Sequence, residues 1–181
     1  YDSTMLSRLL DLLFPTACVS CHATLPDGAL LCEPCIQRLA IFDAPLCLRC
    51  GARRPLGAPL CHRSSLRVFV GAPYGYECIR SLIHLLKFKR AWRAADALAA
   101  LAHHALAPSR ATLGDATLVP VPLGAARLRE RGYNQAALIA ERIARSTGLP
   151  IATPLIRMRE TEPQSGIRDH NARTRNIAEC F

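Results

Sequence analysis

The sequence predicts an α/β protein in two parts, a small cysteine-rich metal module over residues 15–65 and a parallel-sheet domain over residues 66–181. Three observations predict it. Seven of the nine cysteines lie between Cys18 and Cys61 at repeated spacings. Residues 117–148 read as strand, basic loop and helix. Two further helical patterns fill the stretch between. Half of the 181 residues are apolar and no low-complexity tract interrupts them, so the chain carries enough apolar surface to fold.

The first residues predict a short amphipathic helix over 1–14. Leu6 to Phe14 is apolar but holds Arg8 and Asp11. It is too short to span a bilayer and lacks a small-residue cleavage site, so it is not read as a signal peptide. The first methionine is Met5, and residues 1–4 are read as upstream of a natural start.

The cysteines form an internal repeat. Cys18-x2-Cys21 and Cys32-x2-Cys35 make one copy; Cys47-x2-Cys50 and Cys61 make the next, at a constant offset of 29 residues. Each CxxC turn presents two thiolates to one ion, and two turns joined by a hairpin complete a tetrahedral zinc ribbon. CxxC pairs without a secretory leader argue for metal over disulfides and for a reducing, cytoplasmic setting. The first site therefore predicts bound zinc. The second places Ser64 where the repeat requires a cysteine, and three outcomes stay open. It uses three thiolates with His62, three thiolates with water, or stays empty. Which knuckle pairs with which is also open. Cys78 and Cys180 stand apart and are expected as small buried hydrophobes.

Past a boundary near Ser65, Arg67 to Tyr76 alternates as a strand. Glu77 to Phe88 is a helix with Ile79, Leu82, Ile83 and Leu86 on one face. An alanine-rich helix follows from about Ala91 to Leu106, ended by Pro108. His103 and His104 are adjacent in it and therefore face different sides. Then Thr117-Leu-Val-Pro-Val-Pro-Leu reads as a strand closed by prolines. Arg127, Arg129 and Arg131 alternate in a loop that ends at Gly132. Asn134 caps a helix with Ala136, Ile139, Ala140, Ile143 and Ala144 on one face, and Gly148 ends it. Arginines beside a helix N-terminus at the end of a strand make Arg127, Arg129, Arg131 and Gly132 a candidate phosphate or pyrophosphate seat. Pro150 to Arg159 reads as another strand, with Ile156 and Met158 opposed to Arg157 and Arg159.

Val119-Pro-Val-Pro-Leu with Arg129-x-Arg131-Gly132-Tyr133-Asn134-Gln135 resembles the signature of the ComF family. These are competence-associated bacterial proteins with a zinc module before a type I phosphoribosyltransferase-like domain. Leu85-Leu-Lys-Phe-Lys and Pro163-Gln164-Ser165-Gly166, with Arg168, Arg173, Arg175 and Asn176 behind it, resemble further family segments. The resemblance implies a mobile lid over the substrate at Gln164, Ser165, Gly166 and Arg168. It also implies an acidic pair for the ribose hydroxyls and a Thr-Thr-Gly loop for the 5′-phosphate. Neither is in this sequence; Glu160-Thr161-Glu162 and Gly114-Asp115 come nearest, and no such loop follows them. The chain therefore reads as a ComF-like sequence truncated before its phosphoribosyl pyrophosphate motif, expected inactive alone. Magnesium with phosphoribosyl pyrophosphate, or another phosphorylated small molecule, is expected only for a full-length form.

Charge points the same way. Residues 66–181 carry 17 basic and nine acidic side chains, most of the chain's net +9. Such a body attracts polyanions. The implied function is assistance in uptake or processing of transforming DNA, with single-stranded DNA or the competence machinery as partners. The alternative is a zinc-ribbon module that contacts nucleic-acid phosphates and does no chemistry. With 6% aromatic residues, and none in the arginine loop before Tyr133, base stacking looks poorly supplied. No membrane span is expected.

Overall fold

A computed structural model describes residues 16–26, 28–39, 44–54, 58–59, 61–62, 66–109 and 113–181. The helix expected over residues 1–14 and the serine at position 64 lie outside them.

The N-terminal part holds two small antiparallel sheets. Strands β1 (Thr16–Ala17) and β2 (Thr24–Leu25) pair in register Thr16 with Leu25, and helix α1 (Glu33–Leu39) follows. Strand β3 (Leu46–Cys47) pairs with β4 (Arg67–Val68). The strand expected over 67–76 is thus two residues long. It pairs with Leu46 and Cys47, so this small sheet takes residues from both sides of the expected boundary near Ser65.

The rest is helical. Helix α2 (Glu77–Phe88) has the predicted bounds, and α3 spans Ala94–Leu106. Leu82 and Leu101 are both almost fully buried at their junction, with Ile79 and Leu86. Ala94, Ala95, Ala97, Ala99 and Ala105 are buried on α3. Short side chains let neighbours approach closely, and Gly71 shows the limit: a Cβ there would lie 3.0 Å from the Ala102 nitrogen. Helix α3 packs against α1, α2 and α5 (Gln135–Thr147). The core is continuous. Cys18, Leu31, Cys35, Ile36 and Leu39 of the first ribbon bury themselves in the same cluster as α2 and α3.

The central unit departs from its expected form in two ways. Arg127, Arg129 and Arg131 are not in a loop. They lie on a short helix, α4 (Ala125–Arg131), ended by Gly132 at φ 83°. Nothing in Ala-Ala-Arg-Leu-Arg-Glu-Arg resists a helix, and the glycine supplies the left-handed cap. Secondly, the two strands expected on either side reduce to one parallel bridge, Leu118 with Ile151. The Leu118 N–H donates to Pro150 O at 2.8 Å and the Ala152 N–H to Leu118 O at 3.0 Å. Asn134 caps α5 as predicted, its side chain accepting from the Ala136 N–H, and Gly148 closes it.

Between Ala152 and Pro163 the chain forms no strand or helix, and the Met158 N–H donates to Cys180 O at 2.8 Å. Ile156 and Met158 are 70% and 72% exposed, while Arg157 is half-buried. The expected alternation fails: Arg159 is exposed like Ile156 and Met158, and Arg157 alone of the four is partly covered. Its guanidinium sits 5.4 Å from the ring centroid of Phe181 and also donates to Thr161 Oγ1. Helix α6 (His170–Ile177), begun by Asp169, has no counterpart among the elements that the sequence predicts.

Candidate metal centres and the basic surface

Both knuckle turns are built alike. In the first, Cys18 O accepts the His22 N–H at 2.9 Å; in the second, Cys47 O accepts the Gly51 N–H at 2.8 Å. His22 and Gly51 are 29 residues apart and both left-handed, at φ 62° and 70°. The repeat read in the cysteines is therefore a repeat of backbone conformation. The third and fourth ligands of the first centre come from the start of α1, where Cys32 O accepts the Cys35 and Ile36 N–H groups at 3.0 Å.

The donor atoms of Cys18, Cys21, Cys32 and Cys35 all lie within 4.8 Å of one another, as do those of Cys47, Cys50, Cys61 and His62. This settles the pairing: each CxxC joins the half-copy next to it, with no swap. It also completes the second set, because His62 takes the place that the cysteine missing at 64 would hold. Cys21 Sγ is 3.6 Å from Cys32 Sγ, Cys50 Sγ is 3.4 Å from Cys61 Sγ, and Cys47 Sγ is 3.6 Å from His62 Nδ1. Zinc–sulfur bonds near 2.3 Å put tetrahedral ligands about 3.8 Å apart, so both sets fit zinc. All nine cysteines are free.

The thiols are poised for metal. Burial pushes the Cys18 thiol up, but N–H groups of Cys21, Cys32 and Ser20 outweigh it and hold it at about 6. The Cys50 and Arg49 backbones and the Cys61 thiol bring Cys47 to about 6. The Cys47 and Cys50 thiols push Cys61 up to about 11, the mark of sulfurs sharing too few protons. Arg38 Nη2 donates to Cys35 Sγ at 2.9 Å and adds positive charge beside the first set. Cys78 and Cys180 are buried, 8% and 1% exposed, as small hydrophobes should be.

The expected phosphate seat has a different anatomy. Arg127 Nη2 donates to Thr161 O at 2.8 Å. Arg131 Nη1 donates to Gln135 Oε1 at 2.9 Å, and its guanidinium lies 5.6 Å from the Phe88 ring centroid. Arg129 is exposed on α4. The first turn of α4 is capped by Glu160, whose Oε1 accepts the Ala126 N–H at 3.0 Å. Gly124 permits this, since a Cβ there would fall 2.0 Å from Glu160 Oε2. Sequence reasoning missed Lys87 and Arg90, which join this surface from the end of α2. Arg90 Nη2 donates to Glu130 O at 3.0 Å, and Tyr133 Oη donates to Leu86 O at 2.6 Å. The run of cations Lys87, Lys89 and Arg90 was visible; its neighbour across the fold was not.

The residues of the expected lid form a 3₁₀ turn, Gln164–Gly166, tied to α6. Gln164 Nε2 donates to Arg173 O at 3.3 Å, and Asn176 Nδ2 to Glu162 O at 3.0 Å. Arg168 is exposed beside it.

Residues 9–65 match the double zinc ribbon domain family, about a third of the chain. The N-terminal part is accordingly a double zinc ribbon, a zinc-binding module with two four-ligand sites. No curated protein and no solved structure matches the chain. Among the described residues no helix is long and apolar enough to cross a membrane.

Proposed function

We propose that this chain is a ComF-type protein that assists the uptake or processing of transforming DNA in the cytoplasm, its double zinc ribbon carrying a phosphoribosyltransferase-like body. One observation supports the reading most. The backbone leaves Leu118, passes through α4 and α5, and returns to bridge Ile151 in parallel. That is the crossover from which parallel α/β sheets are built, and the Val-Pro-Val-Pro-Leu and Arg-Gly-Tyr-Asn-Gln segments sit at its turning point. In a form extended past Phe181, Arg129, Arg131 and Gly132 would hold a pyrophosphate with magnesium, and residues 164–168 would close over it.

A second reading has its own support. Glu160 occupies the start of α4, and Arg127 and Arg131 are engaged with backbone and side-chain partners. This favours a non-catalytic module whose basic surface contacts nucleic-acid phosphates. Two measurements separate the readings. Calorimetry with phosphoribosyl pyrophosphate and magnesium should show no tight binding to this chain and recovered binding in an extended form that supplies the acidic pair and phosphate loop. Transformation of a competent host lacking its own ComF protein should be restored by the extended form. Failure of both leaves the binding module; tight binding by the 181-residue chain would mean that its site lies wholly within these residues.

A further inference from the structure

We propose that Lys87, Arg90, Arg131 and Gln135 form a binding site for the phosphate of a nucleotide, with Phe88 as the platform for its base. The proposal concerns the C-terminal end of α4, and it stands whether or not the chain serves transforming DNA. Gln135 is only 9% exposed, yet its Nε2 has no hydrogen-bond partner, and neither has the buried Nε of Arg131. Buried donors are ordinarily satisfied, so two orphaned N–H groups side by side ask for an acceptor. The Gln135 amide is held in place because its Oε1 already accepts from Arg131.

Three cations, Lys87, Arg90 and Arg131, gather here around one acidic residue, Glu130, whose backbone oxygen Arg90 holds. Among the described residues the ion pairs join His104 to Glu33 and Arg142 to Asp96 and Glu141, none of which reaches this cluster. Partial desolvation and the neighbouring Arg131 draw the Lys87 ammonium below its usual range, as expected for cations gathered close together. Arg90 is held at φ 51°, a conformation that costs energy for a side chain of this kind and persists where the surroundings impose it. An acceptor with several oxygens and negative charge satisfies all of these groups at once, which is the chemistry of phosphate. Phe88 adds the second element. It is 58% exposed at the edge of the cluster, with the Arg131 guanidinium 5.6 Å and the tilted His84 ring 5.0 Å from its centroid, and its exposed surface is the part left for a stacked base.

The test uses the unmodified chain loaded with zinc. An amine-acylating reagent should label Lys87 readily, and thymidine monophosphate should protect it, as read by mass spectrometry. By calorimetry, Lys87→Met and Gln135→Leu should each weaken the nucleotide about tenfold, whereas Arg145→Ala, an exposed cation lost from α5, should change it less than about twofold. Phe88→Leu should weaken thymidine monophosphate but not inorganic phosphate. Protection by the mononucleotide assigns the site to free nucleotides, and protection only by an oligothymidylate assigns it to a strand. Lys87 labelling that neither slows, or an Arg145→Ala loss equal to that of Lys87→Met, would overturn the proposal. The labelling arm needs no substitution, so a variant that fails to fold does not rescue it.

Discussion

The Glu160 carboxylate caps a helix 34 residues before it, accepting the Ala126 N–H at 3.0 Å while Gly124 leaves room for it. The contact ties the irregular segment after Ala152 to the start of α4. Glu160→Ala should remove a cap and a favourable charge together and lower stability by about 1 kcal/mol. Glu160→Gln should recover part of it. Urea midpoints measure both, and no change in the alanine variant would show the contact to be idle.

Metal removal should reach beyond the ribbons. Cys18 and Cys35 are fully buried in the cluster that contains Leu82, Ala94 and Leu101. A strong chelator should therefore lower the thermal midpoint of the whole chain and reduce the helical signal. Loss confined to residues 15–65, with α2 and α3 still protected from hydrogen exchange, would show two independent units.

Stoichiometry tests the completed second site. Elemental analysis should find two zinc ions per chain, because His62 stands with Cys47, Cys50 and Cys61. His62→Ala should release one of the two to a mild chelator and leave the first site loaded. Cys32→Ser should cost more stability than Cys61→Ser, since among the described residues the first site's cysteines share the main core and the second site's do not.

Tyr133 supplies a pH dependence. Burial pushes its phenol above the usual range, with Arg131 and Arg90 partly opposing, and its Oη donates to Leu86 O. The folded protein thus holds this proton more tightly than the unfolded chain does. The stabilisation is fully present below about pH 10, the unfolded value, and is lost as pH rises through the higher folded value. Tyr133→Phe should cost about 1 kcal/mol at neutral pH and flatten the decline between neutral and strongly alkaline solution. A parallel decline in both proteins would contradict it.

Binding to DNA, measured against salt, should be steep and indifferent to sequence. Arg129→Ala should lower the salt slope by about one without changing stability, because Arg129 is exposed. Arg127→Ala should also loosen the 157–162 segment, since its guanidinium holds Thr161 O. Equal loss of stability in the two variants would argue against this division.

The sequence by itself determined the elements whose cause is local. The 29-residue repeat named the seven cysteines that serve as ligands, because a CxxC turn places its ligands through its own backbone, but it left their pairing and the fourth ligand of the second site open. The apolar spacing of Ile79, Leu82 and Leu86 and the caps at Asn134 and Gly148 likewise act within a few residues. Short apolar runs could not show how much of 117–123 and 150–159 pairs; a strand needs a neighbour, and here the two segments meet at one bridge. The arginines of α4 read as a loop because their alternate spacing carries no apolar face to announce a helix. Only the tertiary structure decided that His62 would stand in for the missing cysteine, since a ligand off the knuckle spacing depends on how the hairpin folds. It also decided that Phe88 would meet Arg131. Those residues are far apart in the chain, and their contact is set by the packing of α2 and α3 in the core and by the Tyr133 hydrogen bond to Leu86, not by any local preference.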